Sequence, residues 1–490
     1  MIELDTRTKG IVISLLVLLS LITFLTNFYG STDVHDYGGV AKFFSGKYDA
    51  KIRTSHSYLY GFIHTPLVGL FENYFTFKVT SLLSLILIIY SVYRISGRDR
   101  KALLLITLSP IVWYMAPWVS PIQLASLLFL WGWYFIREYD SIGTIKNLIY
   151  SALLVGLSWA FWDGILFFVP LLMISFLYDR KLLHSVYFLI FVLIGSLPRM
   201  ILDQALFGFV LFTPVRHIGA SLALTFFGGF YSKGSLFGIH KFLTVILFIP
   251  FYSFLILKRG IFLENKKTNI FILLAIMLIV LNSQIRFVLL VAPIAILAIF
   301  KNLNRKKFIV QVAISLILIL IVINPYIIET KYEILTTDKT SHARFWALLF
   351  NINNLKLSSD FTKDLISEDL KKVSNEFPNE IFVVGNKPDD YQILADLYWS
   401  GEIEEFVSIQ DYNMDLSGNP VLSEKIICSE TKIKSRRDIC ASMLIRKAFN
   451  DKTDYDSIRY ALSEEKDLDL EGFSLIREYD KLYLFEKDLN

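Results

Sequence analysis

Residues 77–116 read FKVTSLLSLILIIYSVYRISGRDRKALLLITLSPIVWYMA. An apolar run, a turn carrying Arg94, Arg98, Arg100 and Lys101, and a second apolar run follow one another. Crossing a hydrocarbon core of ~30 Å takes about 20 apolar helical residues. A basic turn between two such runs is the mark that a pair of antiparallel spans leaves on the cytoplasmic side. Working outward, similar apolar stretches recur at 10–29, 121–137, 147–161, 164–178, 183–198, 240–257, 268–282, 286–300 and 308–325. With 77–96 and 102–116 they predict about eleven transmembrane helices. The first is too long, and too lacking in a small-residue cleavage site, for a cleaved signal peptide.

Composition agrees. Of 490 residues 54% are hydrophobic, 15% aromatic and only 19% charged, against about 25% charged in a soluble protein. The mean hydropathy is +0.50. Disorder, collagen-like repeats and a disulfide scaffold are excluded, the last because the chain has 2 Cys. The net charge of +4 conceals an asymmetry. Residues 329–490 hold 21 basic and 32 acidic side chains, a net charge of −11, which leaves +15 on 1–328. The chain therefore reads as a polytopic α-helical membrane domain over 1–328, followed by a soluble α/β domain over 329–490.

Basic residues set the orientation. Arg7 and Lys9, the 94–101 turn, Arg137 and Lys146, Arg180 and Lys181, Lys258, Arg259, Lys266 and Lys267, and Lys301, Arg305, Lys306 and Lys307 occupy alternate connections. The short connections between them, near 117–120, 162–163 and 283–285, hold no Lys or Arg. The N-terminus is then cytoplasmic. Long loops at 30–76 and 199–239 lie outside, as does the tail.

The outer loops carry the chemistry. In the first, Asp33, Asp36, Tyr37, Val40, Ala41 and Phe44 follow helical spacing, which predicts an interfacial helix with its apolar face toward the membrane. Acids at its start suit the positive end of the helix dipole. The second opens with Arg199 and Asp203 and continues with Arg216, His217 and Lys233 among Phe and Gly. Arg199 and Asp203 stand one helical turn apart, so a plain ion pair is as good a reading as a ligand site. Arg286 opens a span, where a snorkelling Arg is common. Asp163, in a very short turn, reads as a solvated turn residue.

At these positions the chain resembles GT-C superfamily glycosyltransferases, multispan enzymes that take a sugar from a polyprenyl-phosphate carrier on the outer or lumenal face. The acidic motif is Thr32-Asp33-Val34-His35-Asp36-Tyr37, with Ala41 further on. The run from Arg53 through His56, Tyr58 and Tyr60 to His64-Thr65-Pro66 is similar to the segment before the second span of lipid-linked mannosyltransferases. Arg199-x3-Asp203, Phe207-Gly208 and Thr213-Pro214 resemble a second motif, and Gln284-Ile285-Arg286-Phe287 with Pro293 a third, Gln standing where the family has an acid. The resemblance implies transfer of a hexose, mannose-like, with inversion. The donor is a polyprenyl- or dolichyl-phosphate sugar, and the acceptor a glycan, lipid or protein. Besides membrane lipids no further partner is expected, and no nucleic acid.

The reaction assigns roles. A carboxylate takes the proton of the attacking hydroxyl: Asp33 first, Asp36 second. Fixed cations face the departing phosphate: Arg199, Arg216 and Arg286, with Lys233 and His217 in reserve. His35, Tyr37, His56, Tyr58, Tyr60, His64, Asp203 and Gln284 offer stacking and hydrogen bonds to sugar and acceptor. No cofactor is expected to be required, and no metal site is read. Asp33, His35 and Asp36 are where a divalent cation would go if one were held. The competing reading, a multispan transporter or lipid flippase, predicts ionisable residues in mid-span and internal repeats; almost no buried charge is expected here.

In the tail, helical patterns appear at 341–351, 361–375, 388–399, 435–449 and 453–464. Strands are expected at 380–385, 404–409, 424–428, 473–478 and 482–486, the last two as a hairpin around Asp480-Lys481. Asp389 and Asp390 read as helix caps. Cys428 and Cys440 pair as a disulfide outside the cytoplasm, or remain two small buried thiols.

Overall fold

The computed structural model describes residues 6–25, 37, 40–41, 44–45, 58–71, 75–207, 209–211, 214, 245, 248–249, 265–282, 285–323, 365–384, 406–408, 457–468, 470 and 472–488. The chain divides into two units. One comprises Met1–Ser31, Phe75–Leu202 and Phe237–Ser358; the other Thr32–Tyr74, Asp203–Leu236 and Ser359–Asn490.

The described residues form α1 (Thr6–Leu25), α2 (Tyr58–Phe71), α3 (Phe75–Ile95), α4 (Arg100–Thr107), α5 (Pro110–Met115), α6 (Ile122–Ile142) and α7 (Ile145–Phe161). There follow α8 (Val169–Phe176), α9 (Leu182–Gly195), α10 (Leu197–Phe207), α11 (Lys266–Asn282), α12 (Val288–Ile299), α13 (Arg305–Ile323) and α14 (Leu365–Glu376). Helices thus stand in ten of the eleven stretches read as spans; of 240–257 only Val245, Phe248 and Ile249 are described, all three buried. Among the described residues α3 alone is long and apolar enough to cross a membrane by itself, and α9 with α10, bent by 51°, passes as a pair.

The first unit is stitched at both helix ends. Arg180 donates to the Asp140 carbonyl at 2.8 Å and to Asp140 Oδ1 at 2.9 Å. Lys267 Nζ reaches Asp140 Oδ1 and Asp179 Oδ2, each at 2.7 Å. Lys101 Nζ donates to the Leu303 carbonyl at 2.7 Å. Basic connections far apart in sequence therefore meet at one end of the helices, as their alternation requires. At the opposite ends lie Thr23, Lys78 and Ala116, and Asp163, Arg199 and Phe287.

The stretch 100–116 is broken, and the break is satisfied. Pro110 has no N–H, so α4 stops at Thr107 and α5 restarts with Pro110 in its first turn. The freed carbonyls take side-chain donors. Trp113 Nε1 donates to Thr107 O at 2.9 Å, and Gln123 Nε2 to Met115 O and Trp118 O at 3.2 and 3.0 Å. Irregular backbone at this depth is tolerable only when satisfied inside protein. Every residue of α12 is buried, whereas α9 buries only Phe188 and Val192. Both are apolar all round, so burial and not composition separates the central helix from a peripheral one. On its inner side α9 meets α7 backbone to backbone, because Gly156 and Gly195 carry no side chain: a Cβ on Gly156 would sit 2.1 Å from Val192 O.

In the second unit, five strands pair in the order β2-β1-β3-β5-β4, with β1 (Phe382–Val384), β2 (Phe406–Ser408), β3 (Tyr460–Ser463), β4 (Phe473–Glu478) and β5 (Tyr483–Lys487). β1 runs parallel to β2 and β3; β5 runs antiparallel to β3 and β4. Side chains alternate between two faces. Phe382, Val384, Leu462 and Leu484 join Leu370 and Val373 of α14, while Val383, Ala461 and Phe485 join Ile458 and Leu470. The β4–β5 hairpin turns at Asp480-Lys481 as the sequence predicts, Tyr479 N donating to Leu482 O at 2.8 Å. Residues 460–463, read as the end of a helix, are instead a central strand. Buried Ile458, Ala461 and Leu462 fit helical spacing, but β1 and β5 on either side impose the strand. The predicted elements at 341–351, 388–399, 424–428 and 435–449, with Asp389 and Asp390, lie outside the described residues.

Candidate active site

Helix α10 begins just after the bend at Ser196, and its Arg199 is 1% exposed. Arg199 Nη1 donates to Asp163 Oδ1, and Nη2 to Asp163 Oδ2 at 2.8 Å. Asp163 opens the 3-10 turn Asp163–Phe167 and is 3% exposed. The expectation of a solvated turn residue is therefore corrected: Asp163 is one half of a buried two-bonded ion pair. Burial follows from its neighbours. The Trp162 ring folds over Gly164, where a Cβ would sit 2.4 Å from ring atoms. The same ring meets Phe287 edge-on at 4.7 Å and 63°. Phe287 closes the turn Ile285–Phe287, so Arg286, half-exposed, is carried beside this cluster by its neighbour's packing. A buried guanidinium facing a buried carboxylate holds both in one geometry, and removing either leaves an uncompensated charge. Arg199 is engaged by a carboxylate, and Asp203 on the same helix is wholly buried.

A second cation at this end of the helices was not singled out from the sequence. Lys78, in the second turn of α3, is wholly buried, and its Nζ donates to the Thr23 carbonyl at 2.9 Å. The Thr23 hydroxyl lies 2.9 Å from Leu19 O and 3.0 Å from Ala116 O, tying α1 to the turn after α5. This corrects the expectation of almost no buried charge. A signal was present: Lys78 is an isolated cation in FTFKVTSLLSL, and an ionisable residue inside an apolar helix marks function by default.

In the second unit, Tyr37, Val40, Ala41 and Phe44 are helical, as their spacing predicts. Tyr37, Val40 and Ala41 are buried. Their apolar face meets α2, a helix not foreseen, rather than a membrane surface: a Cβ on Gly61 would sit 2.7 Å from Val40 Cβ. Tyr37 packs edge-on against Tyr60 at 5.3 Å, and Tyr60 against His64 at 4.7 Å. His64 Nδ1–H donates to the Tyr60 carbonyl at 2.6 Å, which assigns the tautomer because a carbonyl only accepts. Burial lowers the His64 pKa to about 4, against the pull of that hydrogen bond, so the ring is neutral at physiological pH. Tyr60 and His64, expected to face sugar, are thus interior. Tyr58 opens α2. Asp33, His35, Asp36, His56, Arg216, His217, Lys233, Gln284, Cys428 and Cys440 lie outside the described residues.

No protein-family model matches the chain, and no curated protein matches it at a significant level. Solved structures do. ArnT from Cupriavidus metallidurans bound to undecaprenyl phosphate aligns with a TM-score of 0.59 and 11% identity, over 99% of this chain and 98% of that one. The same protein in the apo state gives 0.55 and 11%, over 98% of each. The chain has the fold of ArnT. ArnT is a GT-C glycosyltransferase and a polytopic membrane protein; what this chain shares with it end to end is the fold.

Within this fold the described residues contribute two unlike buried polar elements. The Arg199–Asp163 pair is neutral as a whole and fixes the positions of Trp162 and the 285–287 turn. Lys78 adds a wholly buried amine that donates to the Thr23 carbonyl.

Proposed function

We propose that the protein is a GT-C-type glycosyltransferase that moves a hexose, mannose-like, from a polyprenyl-phosphate carrier to an acceptor on the outer or lumenal face, inverting the anomeric carbon. The observation that carries this reading is the end-to-end fold match to ArnT, whose structure holds undecaprenyl phosphate. The acceptor hydroxyl attacks the anomeric carbon and its proton passes to Asp33, or to Asp36. The bond from that carbon to the phosphate oxygen breaks, and the phosphate leaves with the electron pair. Lys78 and Arg286 stand as fixed cations for that charge, with Arg216, His217 and Lys233 in support. Arg199, committed to Asp163, holds the turn that presents Arg286. Asp33, His35 and Asp36 are the residues that would hold a divalent cation, should turnover depend on one.

Protein reconstituted in lipid nanodiscs, incubated with undecaprenyl-phosphoryl mannose, glucose or galactose, tests the proposal. Release of undecaprenyl phosphate from one of them, dependent on an added acceptor extract, supports it. Movement of the intact lipid between leaflets with no cleavage of any donor would make the protein a flippase.

A further inference from the structure

We propose that Tyr37, Tyr60, Gly61 and His64 form an aromatic clamp that positions the acidic segment ending at Asp36. The proposal rests on the reading of Asp33 or Asp36 as the general base. Tyr37 directly follows Asp36, and Asp33 precedes it by four residues. Tyr37 is 3% exposed and its ring stands nearly perpendicular to that of Tyr60, at 87° and 5.3 Å. Tyr60, fully buried, is held edge-on by His64, at 66° and 4.7 Å. His64 in turn is locked by its Nδ1–H bond to the Tyr60 carbonyl, one turn earlier on α2.

Backbone contact completes the clamp. A Cβ on Gly61 would lie 2.7 Å from both Cβ and Cγ1 of Val40, and 2.8 Å from the Tyr37 carbonyl oxygen. No methyl fits there unless the 37–41 backbone moves off α2. The backbone immediately after Asp36 is therefore set by α2 through direct contact and through a row of three rings. A general base works only within hydrogen-bond reach of the proton it takes. A shift of about 1 Å from a change outside the chemistry can lower turnover ~10²-fold. These four are positioning residues: they act on the reaction through the carboxylate they hold.

The test uses the full chain in nanodiscs, with release of undecaprenyl phosphate from the active undecaprenyl-phosphoryl hexose as readout. Gly61→Ala and Tyr37→Leu are expected to lower kcat ~10²-fold with the donor KM unchanged. Tyr37→Phe, which keeps the ring, is expected to recover most of the kcat that Tyr37→Leu loses. Added to whichever of Asp33→Asn and Asp36→Asn removes activity, Gly61→Ala should cause no further loss, because residues acting as a unit are non-additive. Wild-type kcat in both Gly61→Ala and Tyr37→Leu, with the Asp→Asn variant dead, overturns the clamp and leaves the base standing. A parallel loss of kcat, donor affinity and thermal stability shows a merely structural contact and also overturns it. Full activity in both Asp33→Asn and Asp36→Asn removes the base and takes the clamp with it.

Discussion

Arg199 and Asp163, 36 residues apart, share two hydrogen bonds in a setting where both side chains are almost wholly withdrawn from solvent. Their pairing joins the start of α10 to the end of α7, and sets Trp162 against Phe287 on the turn that carries Arg286. Asp163→Asn keeps the shape but strands the guanidinium, which costs about 3–5 kcal/mol in buried pairs. The thermal unfolding midpoint in detergent is expected to fall clearly. Asp163→Leu combined with Arg199→Met is expected to regain part of the loss, since neither of the two positions then carries an unpaired charge. Equal midpoints for wild type and Asp163→Asn would show that the pair carries no weight.

Lys78 separates charge from structure. Lys78→Met has similar length and no charge, and α3 is already apolar, so folding is expected to survive. Turnover is expected to fall ~10²–10³-fold, the range for losing one fixed group at a developing oxyanion. Lys78→Arg should recover part of it. Normal turnover in Lys78→Met would assign the residue to the Thr23 contact alone.

Asp33→Asn keeps size and removes basicity. Turnover is expected to fall by at least ~10²-fold, in line with general-base contributions, with the protein still monodisperse on gel filtration. If Asp36→Asn shows the loss and Asp33→Asn does not, the roles exchange; if neither does, the mechanism fails.

His64 gives a pH signature. Its pKa is about 4 in the fold against 6.5 when unburied. The unfolded chain therefore takes up a proton first as pH falls. The stability contributed by the neutral ring is fully present above pH 6.5 and is lost as pH drops through 4. The difference corresponds to about 3 kcal/mol, at roughly 1.4 kcal/mol per pKa unit. His64→Asn, which keeps a donor for the Tyr60 carbonyl, is expected to flatten the fall in unfolding midpoint between pH 6.5 and 4. The same slope in both proteins would remove His64 as its source.

Cys428 and Cys440 report on the orientation. In intact cells a membrane-impermeant maleimide is expected to label the tail only after reduction, as an outer disulfide requires. Protection that disappears on permeabilisation without reduction would place the tail inside and reverse the assignment of every loop.

The helices were legible in the sequence because each depends on near neighbours. Apolar runs such as 77–96 predict α3, whereas 102–116, read as one span, is broken at Pro110 into α4 and α5. The alternation of basic turns placed Arg180, Lys267 and Lys101 at one end, and their contacts with Asp140 and Leu303 agree. The strands expected at 473–478 and 482–486 likewise predicted the terminal hairpin. Tertiary structure decided the rest. Asp163 reads as a turn residue until α10 brings Arg199 to it, and no local pattern states which helix ends will be neighbours. Lys78 reads as one charge in a run until Thr23, 55 residues away, supplies its acceptor. Residues 460–463 carry apolar positions that fit a helix or a buried strand equally, and only β1 and β5 on either side choose between them. Local periodicity fixes an element when the alternatives differ in which face they bury; it is silent when burial is complete, or when a charge's partner comes from another part of the chain.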